Sequence, residues 1–300
     1  MSKWDLDYLK AAKKILEEGT TVNNRTGIDT IKLPMYYFEF DLEKEFPILT
    51  TKQLYFKNAI SEIQWIYQEQ SNDVNWLNER KNHIWDEWKI DDDGYWTATQ
   101  LLPDENGVLQ KKEVKKFFGK EYAGTIGTAY GFIVKHYHLM DQLLDSIKND
   151  PTDRRRVLSL WQNCFLDTAV LPSCVYCTEW DITDGKLNLL VHQRSCDLPL
   201  GLPFNVTQYA TLLSMVAHVT GLKPGKIGWS VKDLHIYVNQ VDGIKEQLHR
   251  LDEQGHYEAP ELWLNPDITD FYDFDTSREQ KDIKIKGYRH MGPIKFPVAK

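Results

Sequence analysis

Residues 193–213 read QRSCDLPLGLPFNVTQYATLL. The run leaves an extended segment at Arg194, crosses a loop marked by Pro199 and Gly201, and passes into residues 206–220, which are apolar on nearly every face and stop at Gly221. A helix with no polar stripe has to be covered on all sides, so this one is expected at the centre of the fold. Outward from it, Lys186 to Arg194 and Cys174 to Ile182 read as strands joined by the turn Thr183-Asp184-Gly185. Residues 30–42, Arg156 to Trp161 and Lys226 to Val238 read as further strands. Helices are expected over residues 59–67, 135–147 and 241–251. Another opens the chain, where Ser2 stands three residues before Asp5, apolar positions recur at Trp4, Tyr8, Ala12 and Ile15, and Gly19 closes the pattern. Residues 90–125, with DDDG, PDENG and KKEVKK, read as a surface insertion with little structure of its own. With no repeat and no linker, the expected architecture is one α+β domain over residues 1–300 carrying that insertion.

The chain has 300 residues, 42% of them hydrophobic, enough to bury a substantial core. Lysine and arginine number 36 against 44 acidic residues, a net charge of −8 that argues against a coat for nucleic acid or for an anionic membrane. A phosphate would then be held by a few concentrated cations. Four cysteines, with no charged-then-apolar leader at the Met1 end, fit a reducing cytosol better than a secreted disulfide framework. No apolar run approaches the roughly 18 residues of a membrane span. Ten Trp, 15 Tyr and 12 Phe supply core and also stacking surface for flat ligands.

Several residues carry chemistry on their own terms. Cys174 and Cys177 form C-x-x-C, but on a strand an offset of three sends the two side chains to opposite faces. At most one of that pair is then a nucleophile, and since neither Cys164 nor Cys196 completes a metal spacing, no metal is expected. Arg154, Arg155 and Arg156 are consecutive, and Arg194 stands beside Ser195. They read equally as a phosphate site or as an exposed ion-pair ladder. Asn205, with Gln208 three residues on, reads as a helix N-cap. Glu62 lies within an apolar helical run, as a snorkelling helix residue or a paired core acid. Asp233, His235 and Tyr237 alternate along a strand, which puts three polar side chains on one face.

Taken together, these segments resemble the thymidylate synthase family. Residues 193–213 are similar to its signature and LPSCV to its active-site cysteine segment. Further similar motifs are NNRTGI (23–28), FPILTTK (46–52), HIWDEW (83–88), GTAYG (127–131), DRRRVLSLW (153–161), DLHIY (233–237) and the terminal GPIKFPVAK. The resemblance spans the chain apart from about 90–125, where members carry inserts of variable length. It implies a mixed β-sheet packed by helices and dimerising through the sheet. It also implies reductive methylation of dUMP to dTMP, with 5,10-methylenetetrahydrofolate giving both the carbon and the hydride.

By this resemblance Cys174 adds to C6 of uracil, a step that needs a thiolate and therefore a cation such as Arg194. Glu62 is implied to shuttle protons near O4 and C5, and Tyr130 to assist proton removal. Arg25, Arg194 and Ser195 of one subunit, with Arg154 and Arg155 of the other, would hold the phosphate, which implies a homodimer. Asn205 would read the N3 and O4 edge of uracil, since an amide both donates and accepts. His235 and Tyr237 match ligands of the ribose hydroxyl. Asp197, Leu200, Gly201 and Phe204 would line the shared pyrimidine and pterin surface; Ile84, Trp85, Trp88 and Leu171 the folate wall; Lys52 the glutamyl tail; and Val298 and Ala299 the closing C-terminus.

Val175 follows the cysteine where most members have His, as in a minority bacterial and phage branch. Ser173 replaces a usual Pro, and Lys300 a usual apolar residue. One alternative reading is a dUMP hydroxymethylase, which would add water in place of hydride and keep Asn205. A more distant one is a nucleotide- or RNA-binding regulator without catalysis. The expected compartment is the cytoplasm, with no membrane and no nucleic acid required.

Overall fold

The computed structural model describes residues 2–24 and 26–298. In chain order the strands are β1 (Thr20–Val22), β2 (Thr30–Asp41), β3 (Tyr95–Pro103), β4 (Leu109–Phe117), β5 (Val157–Ser159), β6 (Val175–Thr183), β7 (Lys186–Gln193), β8 (Cys196–Asp197), β9 (Lys223–Tyr237), β10 (Glu261–Leu264) and β11 (Ile283–Lys286). The α-helices are α1 (Lys3–Glu18), α2 (Phe56–Tyr67), α3 (Val74–Glu79), α4 (Gly131–His136), α5 (Leu139–Asn149), α6 (Gly201–Val219) and α7 (Val241–Gln254). One mixed sheet, ordered β1-β2-β9-β7-β6-β5 with β8 also on β9, carries the molecule. β7 and β8 run parallel to β9, and the other pairings of this sheet are antiparallel. The architecture is the expected α+β domain with a mixed sheet packed by helices. Among the described residues no helix is long and apolar enough to cross a membrane.

The central helix is where its composition puts it: α6 buries Val206, Tyr209, Leu212, Leu213 and Val216 against α2 and the sheet. Each such side chain contributes about 2 kcal/mol of burial. The helix starts earlier than its apolar pattern indicates, at Gly201 rather than Val206. Pro203 is tolerated because the first-turn N–H groups have no partner inside a helix. Asn205 therefore lies one turn inside α6 and is not its N-cap. The residue at the N-cap is Leu200, whose N–H is satisfied by Asp197 Oδ1 at 2.9 Å.

Two other expectations are corrected. Residues 135–147 are not one helix: α4 and α5 meet at His138, which takes a left-handed φ of 50°. Within the stretch expected to have little structure, β3 and β4 form a hairpin paired from Tyr95↔Phe117 to Pro103↔Leu109. Its turn is organised by Asp104, whose Oδ1 accepts from the N–H groups of Asn106 and Val108. The β6–β7 turn follows the reading closely, with Asp184 and Gly185 at φ of 53° and 69°, as a tight two-residue turn requires. α1 is capped as its sequence indicates, Ser2 Oγ accepting from the Asp5 N–H.

Candidate active site

A cleft of about 640 Å³ opens where β9, β8 and the start of α6 meet the segment 83–88. That size suits a small-molecule site. Cys174 lines it from the position just before β6. Its backbone N–H donates to Tyr130 Oη at 2.9 Å, and Arg194 Nη2 lies 3.6 Å from Sγ. The guanidinium is fixed from behind, with Nε on the Ser173 carbonyl at 3.1 Å and Nη2 on the Pro172 carbonyl at 2.7 Å. Among the described residues nothing accepts from Nη1, so a planar pair of donors is left for a ligand. Ser195 lines the cleft beside it.

Cys177, by contrast, lies outside the cleft lining, and a bulge interrupts the β6–β7 register between Val175 and it. All four cysteines are free, and among the described residues no group of three or more His, Cys, Asp or Glu is placed to hold a metal.

Tyr130 packs edge-on against Trp85, with centroids 5.3 Å apart, and holds φ at 50° and ψ at −110°. Such backbone is costly for a residue with a side chain and persists where the surroundings enforce it. The next residue packs too closely for a side chain, since a Cβ on Gly131 would stand 2.0 Å from the Ser71 carbonyl oxygen. Burial pushes the phenol well above its ordinary pKa, and the charges of Cys174 and Glu62 push it further against the pull of the Cys174 N–H and Arg194. It stays protonated at neutral pH.

Glu62, on α2, is not a bystander of the core. Burial raises its carboxyl to about 7, against the lowering effect of two donors, Trp85 Nε1 at 2.8 Å and Gln208 Nε2. Gln208 is the last link of a chain of side-chain amides. Trp229 Nε1 donates to Gln193 Oε1 at 2.9 Å, Gln193 Nε2 to Asn205 Oδ1 at 2.9 Å, and Asn205 Nδ2 to Gln208 Oε1 at 3.0 Å. An indole N–H can only donate, so Trp229 fixes Gln193 and each amide after it in turn. The direction of every amide in the chain is thereby set, including that of Asn205, which lines the cleft.

On the opposite side, Asp233, His235 and Tyr237 face the cleft from β9, as their alternation implies. Asp233 Oδ1 bonds His235 Nδ1 at 2.9 Å, and Oδ2 bonds Lys32 Nζ at 2.7 Å. Burial of Asp233 would raise its carboxyl pKa, but the hydrogen bonds and charges of His235 and Lys32 reverse this and lower it to about 2. A depressed carboxyl contributes stability that is present above its unfolded value, near 4, and is lost as pH falls through about 2. Asp233→Asn is therefore expected to cost about 1–2 kcal/mol in urea melts at pH 7. The gap between the two proteins should shrink steadily from about pH 4 and close near pH 2.

Asp197 lines the cleft between these groups. Burial raises its pKa, against Gln240 Nε2 at 2.8 Å, the Leu200 N–H, and the charges of His235 and Lys52. Ile84, Trp88, Leu171, Leu200, Gly201, Phe204 and Val298 complete an apolar wall. Trp85 reaches this wall too, but is only 6% exposed and acts as a strut between Glu62 and Trp88, whose ring lies 5.4 Å from its own.

The scan against family models matches residues 6–300 to thymidylate synthase. The chain belongs to the thymidylate synthase family. Among its relatives, the thymidylate synthase of Clostridium beijerinckii is 46% identical over 299 residues, covering all of both chains. That of Bacillus phage phi3T is 36% identical, again over the full length of both. Among solved structures, thermostable thymidylate synthase A from Bacillus subtilis superposes with a TM-score of 0.81 at 36% identity, covering 99% of each chain.

Not every residue assigned from the thymidylate synthase resemblance reaches the cleft. Lys52 is 7% exposed, donates to the Pro199 carbonyl and lies 4.8 Å from the Phe296 ring centroid, outside the cleft lining. Burial lowers its pKa to about 8. Its ammonium faces the Pro199 carbonyl and the Phe296 ring rather than the cleft. Arg154 and Arg155 are exposed and also outside the lining; Arg155 Nε pairs with Asp153 Oδ1 at 2.9 Å. Arg156 is buried and ties off the end of α5 through Ser146 Oγ and the carbonyls of Asp150 and Asp153. Arg25 and Ala299 lie outside the described residues. Lys32, Gln193, Gln208 and Gln240 were not singled out from sequence as site residues; only Gln208 gave a signal, and it read as half of a cap.

Proposed function

We propose that this chain converts dUMP to dTMP, with 5,10-methylenetetrahydrofolate consumed and dihydrofolate released. The observation that carries the reading is the convergence of a nucleophile with its cation, Cys174 and Arg194, an orientation-locked amide, Asn205, and a carboxyl poised near neutrality, Glu62, on one cleft. The carbon and the hydride come from the folate. The apolar wall of Ile84, Trp88, Leu171 and Phe204 fits a flat ring. Asp197 at its edge fits a ring that presents N–H donors.

In this reading Arg194 holds the phosphate with the donors left over from Pro172 and Ser173, helped by Ser195. His235, fixed by Asp233 through Nδ1, offers Nε2 to the ribose, with Tyr237 beside it. Asn205 spends one N–H on Gln208 and one lone pair on Gln193, which leaves an N–H for O4 and a lone pair for N3–H. Sγ of Cys174 bonds to C6 as Glu62 gives a proton at O4, and C5 becomes the nucleophile. After carbon transfer the C5 proton leaves by way of Tyr130 and water as the bond between the transferred carbon and the folate nitrogen breaks, which frees tetrahydrofolate and leaves an exocyclic methylene. Hydride from that tetrahydrofolate then arrives on the methylene carbon as the S–C6 bond breaks, giving dTMP and dihydrofolate. Val298 and the wall keep water from that carbon.

A cytoplasmic homodimer is part of the proposal, with Arg154 and Arg155 reaching the partner's phosphate. Their exposure away from their own cleft supports this, as do Tyr37 and Val157, which the sheet strands β2 and β5 leave exposed.

The test is the absorbance of dihydrofolate formed from dUMP and methylenetetrahydrofolate, with dCMP as the control. Turnover of dUMP alone is expected. Formation of 5-hydroxymethyl-dUMP without dihydrofolate would overturn the assignment in favour of hydration. Asn205→Asp is expected to shift the dUMP-to-dCMP preference by at least about a hundredfold in kcat/KM, because the mismatched edge leaves buried groups unpaired. Unchanged selectivity would remove Asn205 as the reader of the base.

A further inference from the structure

Gln240 sits where β9 gives way to α7, and it is 1% exposed. The Tyr237 N–H donates to its Oε1 at 3.1 Å. A backbone N–H can only donate, so the amide cannot flip, and Nε2 must face away. Its two hydrogens go to Asp197 Oδ2 at 2.8 Å and to the Pro297 carbonyl at 3.0 Å. Lys52 makes the same bridge independently, joining the Pro199 carbonyl to the Phe296 ring. Gly243 leaves room for it: a Cβ there would stand 2.5 Å from Phe296 Cε1. Two buried side chains thus tie residues 296–297 to the segment 197–199.

We propose that Gln240 is a positioning residue that couples docking of the C-terminal segment to placement of the Asp197 carboxylate, so that the folate side of the cleft is complete only when residues 296–298 are seated. The coupling to folate rests on the proposed function; the seating of the segment does not. Val298 and Asp197 line the same cleft, so a single amide that holds both sides gives the wall and the carboxylate together. If Gln240 served only the β9–α7 junction, its bond to the Tyr237 N–H would be the one that matters. Two substitutions separate these roles. Gln240→Glu keeps an acceptor for Tyr237 but sets an anion against Asp197 and the Pro297 carbonyl. Gln240→Met removes the donors without adding charge.

The first readout is carboxypeptidase trimming of the full chain without ligands. Both variants are expected to lose the C-terminal residues faster, Gln240→Glu by about tenfold or more and ahead of Gln240→Met. Unchanged trimming in both, or an effect confined to Gln240→Met, overturns the coupling, whether or not the protein turns over dUMP.

The second readout is kinetic. Gln240→Met should raise KM for the folate by about tenfold and leave KM for dUMP within about twofold. Its acid limb for folate should move to higher pH, because the amide favours the Asp197 anion. Lys52, His235, Tyr8 and Cys196, the other titratable groups around Asp197, are untouched by the substitution. In a chain ending at Phe296 the same substitution should add less than about threefold. Full additivity with the truncation sinks the inference, whereas absence of dihydrofolate formation in the wild type sinks the functional reading instead.

Discussion

Replacing Cys174 with serine is expected to lower dTMP formation by about 10,000-fold or more, while dUMP affinity stays within about threefold. A hydroxyl is not ionised near pH 7, and the step that makes C5 reactive is bond formation by an anionic sulfur. The substitution leaves the rest of the site standing. Tyr130 bonds the backbone N–H of residue 174, and Arg194 is anchored on the Pro172 and Ser173 carbonyls, so neither depends on the sulfur for its place. Cys177→Ser is the internal control, since that thiol lies outside the cleft lining; its turnover should match wild type within about threefold. Denaturing mass spectrometry adds a direct check, with a nucleotide adduct on the wild type and none on Cys174→Ser. Undiminished turnover in the serine variant would mean that C6 is attacked by something other than residue 174.

The fold was legible in sequence because its main elements announce themselves by period. α6 is apolar all round, β9 alternates, and Asp184-Gly185 supplies the left-handed backbone of a hairpin turn. What stayed hidden depends on contacts across the chain. Asn205 and Gln208 are spaced like a cap, and nothing local reveals that Gln193 and Trp229 approach from two strands and turn the pair into a relay. Lys32 falls opposite His235 only once β2 and β9 are in register. Lys52 follows a motif that the resemblance placed at a ligand, yet the side chain turns to Pro199 and Phe296, a choice decided by a C-terminal segment some 240 residues away. The hairpin of residues 95–117 was masked by its charge, because solvent-facing strands of Lys, Gln and Thr lack the apolar alternation that marks a half-buried strand.

Glu62→Gln tests that relay and the proton chemistry together, and kcat is expected to fall by about 100- to 10,000-fold. With its carboxyl raised to about 7, Glu62 is divided between both protonation states at neutral pH, as a group that gives a proton at O4 and recovers it must be. The sign follows from the direction of that transfer. The acid form is needed as Sγ adds, so the Glu62 limb of kcat/KM for dUMP descends above about pH 7, by at most about tenfold per pH unit. An amide does not titrate, and in Glu62→Gln that limb should be gone. A second consequence is structural. Trp85 Nε1 and Gln208 Nε2 both donate to Glu62, and a glutamine offers one oxygen where the carboxylate offers two. Relief by flipping Gln208 would strip Asn205 Nδ2 of its acceptor, and flipping Asn205 would set two donors face to face at Gln193, whose own direction Trp229 fixes. The conflict cannot be passed along the chain, so Glu62→Gln should also loosen uracil selectivity by about tenfold, as Asn205 loses its fixed orientation. Glu62→Asp keeps a titratable carboxyl and should keep the limb even with slower turnover. A limb near pH 7 that survives in Glu62→Gln would assign the ionisation to another group, and unchanged selectivity would mean that the amides reorganise more freely than two donor-only indoles at their ends allow.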